Sequence, residues 1–346
     1  MLLRLATVRL LSVALLSAPL FVATAAADDA GDCAGGDPAI GIPACTRIIE
    51  QAGEPQADLV NALVGRAEHY IVQQDIERAL ADLDEALRRD PRQPDAHHNR
   101  GVAYALQGRP EEALEALGEA IRLNPAGAAE SYHTRGRIYG ETGRWDAAIA
   151  EFDAAIRADP RHVDAMISRG GAHQLQGRVD PAMADYDEAV RIDQGNPDAL
   201  SSRGALYMAT SRFPQAIADL DEAIRLDPDH EMAYLNRGVT YLFQRQFDRA
   251  IADFDQALRV NPQNAHVLVQ RGAAYFFQRQ PEPALADLNE AIRLDAGSLQ
   301  AYKLRGMIHS GMGRRDQAVA DFRMVLELDP ADESARKALE ELGAAP

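Results

Sequence analysis

The sequence predicts an all-α fold in which short helical hairpins follow one another along the chain. Three observations support this prediction. A unit of 34 residues recurs eight times, with a single step of 35 residues. Within each unit, small or apolar residues fall at helical spacing in two separate groups. Proline closes most of the units, at the position where a second helix would end.

The clearest copy of the unit spans residues 231–264, and positions below are counted from the first residue of each unit. Pro262, at position 32, ends the second helix and biases Asn261 away from the α region. Two amphipathic helices joined by a turn near position 15 account for the spacing of the remaining marked residues. These are Tyr234, Gly238 and Tyr241 at positions 4, 8 and 11, and Ala250, Phe254 and Ala257 at positions 20, 24 and 27.

An Arg-Gly pair at positions 7 and 8 marks every unit except the first, which has Arg66-Ala67. Glycine at position 8 and alanine at position 20 allow the two helices to pack closely. The second helix offers an acid at position 23 in every unit except the second, where Ala116 stands. Because the arginine recurs in all units, we predict a structural ladder of charge-assisted hydrogen bonds instead of a binding stripe. Its members are Arg66, Arg100, Arg135, Arg169, Arg203, Arg237, Arg271 and Arg305.

This pattern resembles the tetratricopeptide repeat, which has an aromatic residue at 4, a small residue at 8, Tyr at 11, Ala at 20 and 27, an aromatic residue at 24 and Pro at 32. The resemblance implies a right-handed α-solenoid of eight repeats over residues 60–332. Gln194 and Ala296 replace the proline at position 32. We therefore expect the junctions after repeats four and seven to be less sharply turned.

Residues 1–27 have the features of a cleavable signal peptide. Arg4 and Arg9 supply positive charge, residues 10–22 are mostly apolar, and residues 25–27 are three alanines suited to cleavage. The apolar run is shorter than the roughly 20 residues that a membrane span needs. We expect an exported chain, periplasmic or secreted, with no membrane span after signal cleavage.

Cys33 and Cys45 are the only cysteines, and export makes a disulfide between them the default prediction. A redox pair would normally show the closer Cys-x-x-Cys spacing. Residues 28–59 resemble the segment that precedes the repeats in exported tetratricopeptide proteins of Gram-negative bacteria, and they imply a disulfide-stapled arm and a capping helix. Residues 333–346 are predicted to form a C-terminal capping helix and tail.

The composition narrows the range of functions. The chain has 53 acidic and 36 basic residues and a formal net charge of −17, which disfavours binding to nucleic acid. It has no motif for a hydrolase, a phosphate loop or a dinucleotide site. We therefore predict a non-catalytic protein that needs no cofactor and no metal.

In this family, positions 2, 5, 6, 9, 12 and 13 of the first helix line a concave groove. These positions are polar in repeats two to four and largely apolar from repeat five onward. The resemblance therefore implies a scaffold that binds a peptide or protein there. An alternative is that Leu242, Phe243, Phe276 and Phe277 simply pack against the following repeat. The predicted groove residues are Met208, Met232, Leu235, Asn236, Val239, Leu242, Phe243, Val269, Gln270, Phe276, Phe277, Lys303 and Met307.

A second functional hypothesis is a glycan-binding or regulatory adaptor subunit for a cell-envelope enzyme. Tyr241, Phe243, Tyr275 and Phe277 could stack on sugar rings. The two tyrosines, however, stand at position 11, which belongs to the core in this family. This weakens the glycan hypothesis relative to the scaffold.

Overall fold

The computed structural model describes residues 29–51 and 56–345, and every regular element within these ranges is a helix. The predicted all-α fold of paired helices is therefore confirmed. The predicted signal peptide, residues 1–27, lies outside the described residues. The chain divides into two compact units, residues 1–144 and 145–346. In the described part of the chain, no helix combines the length and the apolar character that a membrane crossing requires.

The first compact unit contains the amino-terminal helix, the hairpins of repeats one and two, and the first helix of repeat three. Its 3-10 turn accommodates the extra residue of the 35-residue step. The elements are α1 (Pro38–Glu50), α2 (Gln56–Val72), α3 (Ile76–Arg89), α4 (Pro94–Leu106), α5 (Pro110–Leu123), the 3-10 turn Pro125–Gly127 and α6 (Ala129–Glu141).

The second compact unit contains the second helix of repeat three, the hairpins of repeats four to eight, and a terminal helix. Its elements are α7 (Trp145–Ala158), α8 (Val163–Leu175), α9 (Val179–Ile192), α10 (Pro197–Ala209), α11 (Phe213–Leu226), α12 (Glu231–Phe243), α13 (Phe247–Val260), α14 (Ala265–Phe277), α15 (Pro281–Leu294), α16 (Leu299–Gly311), α17 (Arg315–Leu328) and α18 (Glu333–Glu341).

The junctions between repeats are set by extended residues at the ends of the second helices. Asn261, before Pro262, adopts φ −130° and ψ 90°, as the proline predicts. The expectation of softer junctions at Gln194 and Ala296 is wrong. Asp193 and Asp295 have nearly the same backbone angles, φ −132° and −134° with ψ 94°. Their carboxylates accept hydrogen bonds from the amides of Gly195 and Gly297, at 3.0 and 2.9 Å, in the same Asx turn that Asp227 and Asp329 form before a proline.

Glycine at position 8 makes room for the side chain at position 24 of the same repeat. A Cβ atom on Gly238 would lie 2.6 Å from the ring of Phe254, and one on Gly101 would lie 2.6 Å from Leu117. The alanines at position 20 are fully buried, as Ala250 illustrates. In repeats two and six, the hairpin is thus closed by a large side chain that fits against two small ones.

Terminal helices cover both ends of the described chain. In α1, Ala44 and Cys45 are buried against Ala62 of α2. In α18, Ala335 and Leu339 are fully buried in the cluster that contains Phe322 of α17. These two helices shield apolar surface that the first and last repeats would otherwise expose.

Candidate functional site

Four predicted groove residues of repeat six lie on one face of their helix. On α12, Met232, Asn236, Val239 and Phe243 follow one another at intervals of four, three and four residues. Gly238 faces the partner helix α13 instead, where it contacts Phe254. Helical geometry alone therefore separates a surface stripe from the face that holds the hairpin together.

Four predicted groove residues are strongly exposed: Met232 (49%), Phe243 (61%), Phe277 (52%) and Met307 (52%). All four are large apolar side chains from consecutive repeats of the second compact unit. Exposed apolar side chains also stand at position 13 of repeats one, two and four, as Val72, Leu106 and Leu175, so Met232 and Met307 are what distinguishes these repeats. The partly buried members of the predicted set are Met208, Asn236, Val239, Leu242, Gln270, Phe276 and Lys303.

Leu235 and Val269 do not lie on this surface. They are only 4% and 5% exposed and belong to the hydrophobic core cluster of repeats six to eight. Both stand at position 5, where the first helices of successive repeats pack against one another. The prediction that they line a binding surface is therefore corrected, since core residues offer no area to a partner.

Phe243 and Phe277 each stack on an aromatic ring of the preceding repeat. The Phe243 ring lies 6.2 Å from that of Phe213, and the Phe277 ring lies 5.8 Å from that of Phe247. These contacts are with the preceding repeat, whereas the alternative placed both rings against the following repeat. Sequence reasoning missed Phe213 and Phe247. The available signal is an aromatic at position 17 followed, 30 residues later, by an aromatic at position 13.

Lys303 is engaged within the protein. Its ammonium forms an ion pair with Asp332, the residue that caps α18 by accepting a hydrogen bond from the Ala335 amide. Lys303, with help from Ser334 and the Ala335 amide, lowers the pKa of Asp332 to about 2. The positive charge of Lys303 thus stabilises the terminal helix, and it is not a free anchor for a ligand.

The aromatic set proposed for glycan binding divides into two pairs. Tyr241 and Tyr275 are partly buried and pack against the core of repeats six to eight. The Arg249 guanidinium also lies over the Tyr241 ring, 5.6 Å from its centroid. Only Phe243 and Phe277 remain strongly exposed, and each already has one face against another phenylalanine. This arrangement does not favour sugar stacking over peptide binding.

In repeats one and four to eight, the position-7 arginines link the two helices of their own repeat. Their guanidinium groups donate to the position-23 aspartates, which are largely buried, and such charge-assisted pairs are among the stronger protein hydrogen bonds. The pairs are Arg66–Asp82 at 2.7 Å, Arg169–Asp185 at 2.5 Å, Arg203–Asp219 at 2.7 Å, Arg237–Asp253 at 2.6 Å, Arg271–Asp287 at 2.7 Å and Arg305–Asp321 at 2.6 Å. Arg135 lies on α6 with its guanidinium 5.8 Å from the Tyr132 ring.

The same arginines also reach back to the preceding repeat. Arg237 donates from its other terminal nitrogen to Asp221, 2.6 Å away, at position 25 of repeat five. Two acids raise the pKa of Arg237, while burial raises the pKa of Asp253 despite its arginine partner. Further contacts of this kind are Arg169–Asp153, Arg203–Asp187, Arg271–Asp255 and Arg305–Asn289.

The amino-terminal arm is held to the first repeat by covalent and polar contacts. Cys33 and Cys45 form a disulfide, as the sequence predicts. The carbonyl of Cys33 lies 3.0 Å from Nε2 of His69 on α2, and Asp29 pairs with Arg47 of α1. A cleft of about 560 Å³ separates the arm from repeats one and two.

Family comparisons are consistent with this architecture. Models of the tetratricopeptide repeat match residues 64–128, 133–197 and 232–264, and further models match residues 206–244 and 299–332. Together these segments cover most of the helical repeats. The chain belongs to the tetratricopeptide repeat family. Members of this family are generally non-catalytic scaffolds for other proteins.

Curated relatives resemble only a part of this tetratricopeptide repeat protein. Tetratricopeptide repeat protein 36 of Caenorhabditis briggsae is 34% identical over 74 residues, which are 21% of this chain and 41% of that protein. The protein of the same name from Caenorhabditis elegans is 42% identical over 48 residues, which are 14% of this chain and 27% of that protein. The alignments thus span less than half of either relative.

Solved tetratricopeptide structures share the fold at low identity. A repeat protein from Parabacteroides merdae aligns over 72% of this chain and 98% of its own, with a TM-score of 0.57 and 19% identity. A chain of the Cut9–Hcn1 hetero-tetramer of APC/C aligns over 93% of this chain and 63% of its own, with a TM-score of 0.66 and 16% identity. PilW, a type IV pilus biogenesis factor, aligns over 61% of this chain and 98% of its own, with a TM-score of 0.57 and 19% identity.

Proposed function

We propose that this chain is an exported, non-catalytic scaffold that binds a polypeptide segment of another protein along repeats five to eight. One observation carries the proposal. Met232, Phe243, Phe277 and Met307, all on first helices of successive repeats, expose about half or more of their surface. Leaving four large apolar side chains in contact with water is unfavourable, whereas a partner that covers them stabilises the complex.

The chemistry of the neighbouring positions suits a polypeptide. Asn236 and Gln270 are partly exposed on the same helices and can donate and accept hydrogen bonds to a peptide backbone. Apolar anchors with interspersed amides suit an extended segment or one face of an amphipathic helix. The family supports protein binding in general, and the signal peptide predicted for residues 1–27 favours a partner in the cell envelope or outside the cell.

The test is a crosslinking pull-down from an envelope extract. The variant Met232→Glu, Met307→Glu places charge on the proposed surface without touching the core. The control variant Leu328→Glu changes an exposed leucine, 42% accessible, at the end of the last second helix. We expect wild type and the control to capture the same protein and the double variant to lose it, with all three equally helical by circular dichroism.

Two results would contradict the proposal. Equal capture by the double variant would remove the apolar surface of repeats five to eight from the binding site. Capture of no protein by wild type, together with binding of an envelope glycan, would replace the scaffold with the adaptor hypothesis.

A further inference from the structure

Arginines recur at the turns between the first and second helices, and in repeats two to four they are paired with acids. Each turn of repeats two to eight carries an arginine at position 15 or 16. In repeats two to four, a neighbouring carboxylate forms an ion pair with this arginine. These pairs are Arg109 with Glu112 at 2.5 Å, Arg144 with Glu111 at 3.4 Å, and Arg178 with Asp146 at 3.7 Å.

Arg245 and Arg279, in the turns of repeats six and seven, are different. Both are exposed, and neither forms an ion pair or a side-chain hydrogen bond with any residue that the structure describes. Asp248, the acid nearest to Arg245 in the sequence, instead accepts a hydrogen bond from the Gln278 amide at 2.6 Å. The two guanidinium groups therefore keep their full donor capacity for a ligand.

The backbone at these arginines gives a second indication. Both have φ of 61°, in the left-handed region that glycine adopts most readily. The matching turns of repeats two, three, four and eight use glycine there, and those of repeats one and five use Gln74 and Ser211. The turn itself therefore does not require an arginine at this position.

The arginines flank the stacked phenylalanines. Phe243 on Phe213 and Phe277 on Phe247 form two ring pairs that connect the turns of repeats five, six and seven. Arg245 follows Phe243 by two residues, and Arg279 follows Phe277 by two. We call the set Phe213, Phe243, Arg245, Phe247, Phe277 and Arg279 the turn-edge surface.

The local charge of this surface is opposite to that of the chain. The turn segments of repeats five to seven carry four arginines and two acids, in residues 209–215, 243–249 and 277–283. The matching residues 72–78 and 106–112 of repeats one and two carry two arginines and four acids. A cationic patch on a chain of net charge −17 attracts carboxylates that come close to it.

We propose that the turn-edge surface binds an acidic, apolar polypeptide segment, in which aspartates or glutamates flank apolar side chains. The apolar side chains would cover the phenylalanine pairs, and the carboxylates would accept paired hydrogen bonds from Arg245 and Arg279. This inference rests on the proposed scaffold function and assigns a chemistry to its partner.

A short acidic segment fits this surface better than an extended anionic lattice such as a membrane or a nucleic acid. Charges separated by more than about 8 Å are largely screened at physiological ionic strength. A peptide therefore senses mainly the local arginines. An extended lattice would also approach the acidic remainder of the chain.

The test selects random peptides of about 12 residues from a display library on the purified full chain and then measures affinities by fluorescence anisotropy. The variant Arg245→Gly, Arg279→Gly removes both cations and installs the residue that other turns already use. Ser211→Gly makes the same backbone change without a change in charge. We expect enrichment of Asp and Glu beside apolar residues among the selected peptides.

For those peptides, we expect the double arginine variant to bind at least about tenfold more weakly and with less dependence on salt. Ser211→Gly is expected to bind like wild type, and the double variant is expected to melt no lower than wild type, because glycine suits the turn. Weaker binding with unchanged stability would assign the arginines to recognition.

Three outcomes would overturn the inference, and they separate it from the proposed function. Peptides without acidic enrichment, or equal binding by the double arginine variant, would refute the acidic partner while leaving Met232→Glu, Met307→Glu to test the scaffold. Arginine-dependent binding of anionic vesicles in place of peptides would replace the partner class. Failure to select any peptide would count against both proposals.

Discussion

At the scale of single residues, Arg100 is a ladder arginine that faces no acid at position 23 of its own repeat. Its terminal nitrogen lies 3.7 Å from Asp84 of the preceding repeat, and its buried Nε has no hydrogen-bond partner in the described structure. The cause is local, because Ala116 occupies position 23, where the paired repeats have aspartate. An unsatisfied buried donor lowers stability, since it loses water and gains nothing in return.

We predict that Ala116→Asp stabilises the protein by about 1 kcal/mol. The new carboxylate would accept hydrogen bonds from Arg100 in the geometry that Arg237 and Asp253 already show. Part of the gain offsets the cost of burying the carboxylate. Chemical denaturation with an unchanged slope would measure the change.

Ala116→Asn is the matched control for this substitution, because it has the same shape and no charge. It is expected to stabilise less than aspartate does. If the Ala116→Asp variant is less stable than the Ala116→Asn variant, the desolvation of the carboxylate outweighs its pairing with Arg100.

Single residues also show how far sequence periodicity could define the candidate site. Met232 and Met307 were placed correctly at the surface, because helical spacing separates their face from the hairpin core. The same spacing wrongly predicts Leu235 and Val269 at the surface, because position 5 contacts the neighbouring repeat. A periodic pattern within one unit contains no information on the distance between units, and that distance decides whether position 5 is covered.

At the scale of elements, the hairpins depend on the fit between position 8 and position 24. This fit could be predicted from sequence, since glycine and a large apolar residue recur together at these positions. What the sequence did not supply is the clearance in each repeat. A Cβ atom on Gly238 would lie 2.6 Å from Phe254, whereas one on Gly272 would lie 3.2 Å from Leu288.

We predict that Gly238→Ala destabilises the protein by about 1–2 kcal/mol. The new methyl group collides with a buried ring, which costs about 1–3 kcal/mol, and the higher helix propensity of alanine offsets up to about 1 kcal/mol. Gly272→Ala serves as the control and should be nearly neutral, because a leucine side chain can shift by a few tenths of an ångström. Denaturation midpoints provide the comparison, and equal losses in the two variants would show that clearance at position 8 does not limit packing.

At the scale of the whole molecule, the predicted leader and the disulfide are both features expected of a chain exported to an oxidising compartment. A cytosolic chain would keep Cys33 and Cys45 as thiols, because reducing systems maintain them so. In the structure, the disulfide joins the arm to α1, the helix that covers the first repeat. We therefore expect correct capping of the amino-terminal end to depend on the predicted export.

We predict that the chain produced with residues 1–27 in a Gram-negative host is recovered from the periplasm at the mass of residues 28–346 and without reactive thiols. A second form that lacks the leader should remain in the cytosol and react with a maleimide at both cysteines. Without the closed loop, which contributes about 2–3 kcal/mol, amide hydrogens of α1 should exchange faster in that form.

The variant Cys33→Ser, Cys45→Ser separates the effect of the disulfide from that of the compartment. Carried by the leader, it should reach the periplasm and still show fast exchange in α1, because the cross-link is absent. The amides of α18, at the opposite end of the chain, should exchange alike in all forms, since repeats contact only their neighbours. Slow exchange in α1 of the double variant would show that contacts such as Asp29 with Arg47 and His69 with the Cys33 carbonyl suffice to hold the cap.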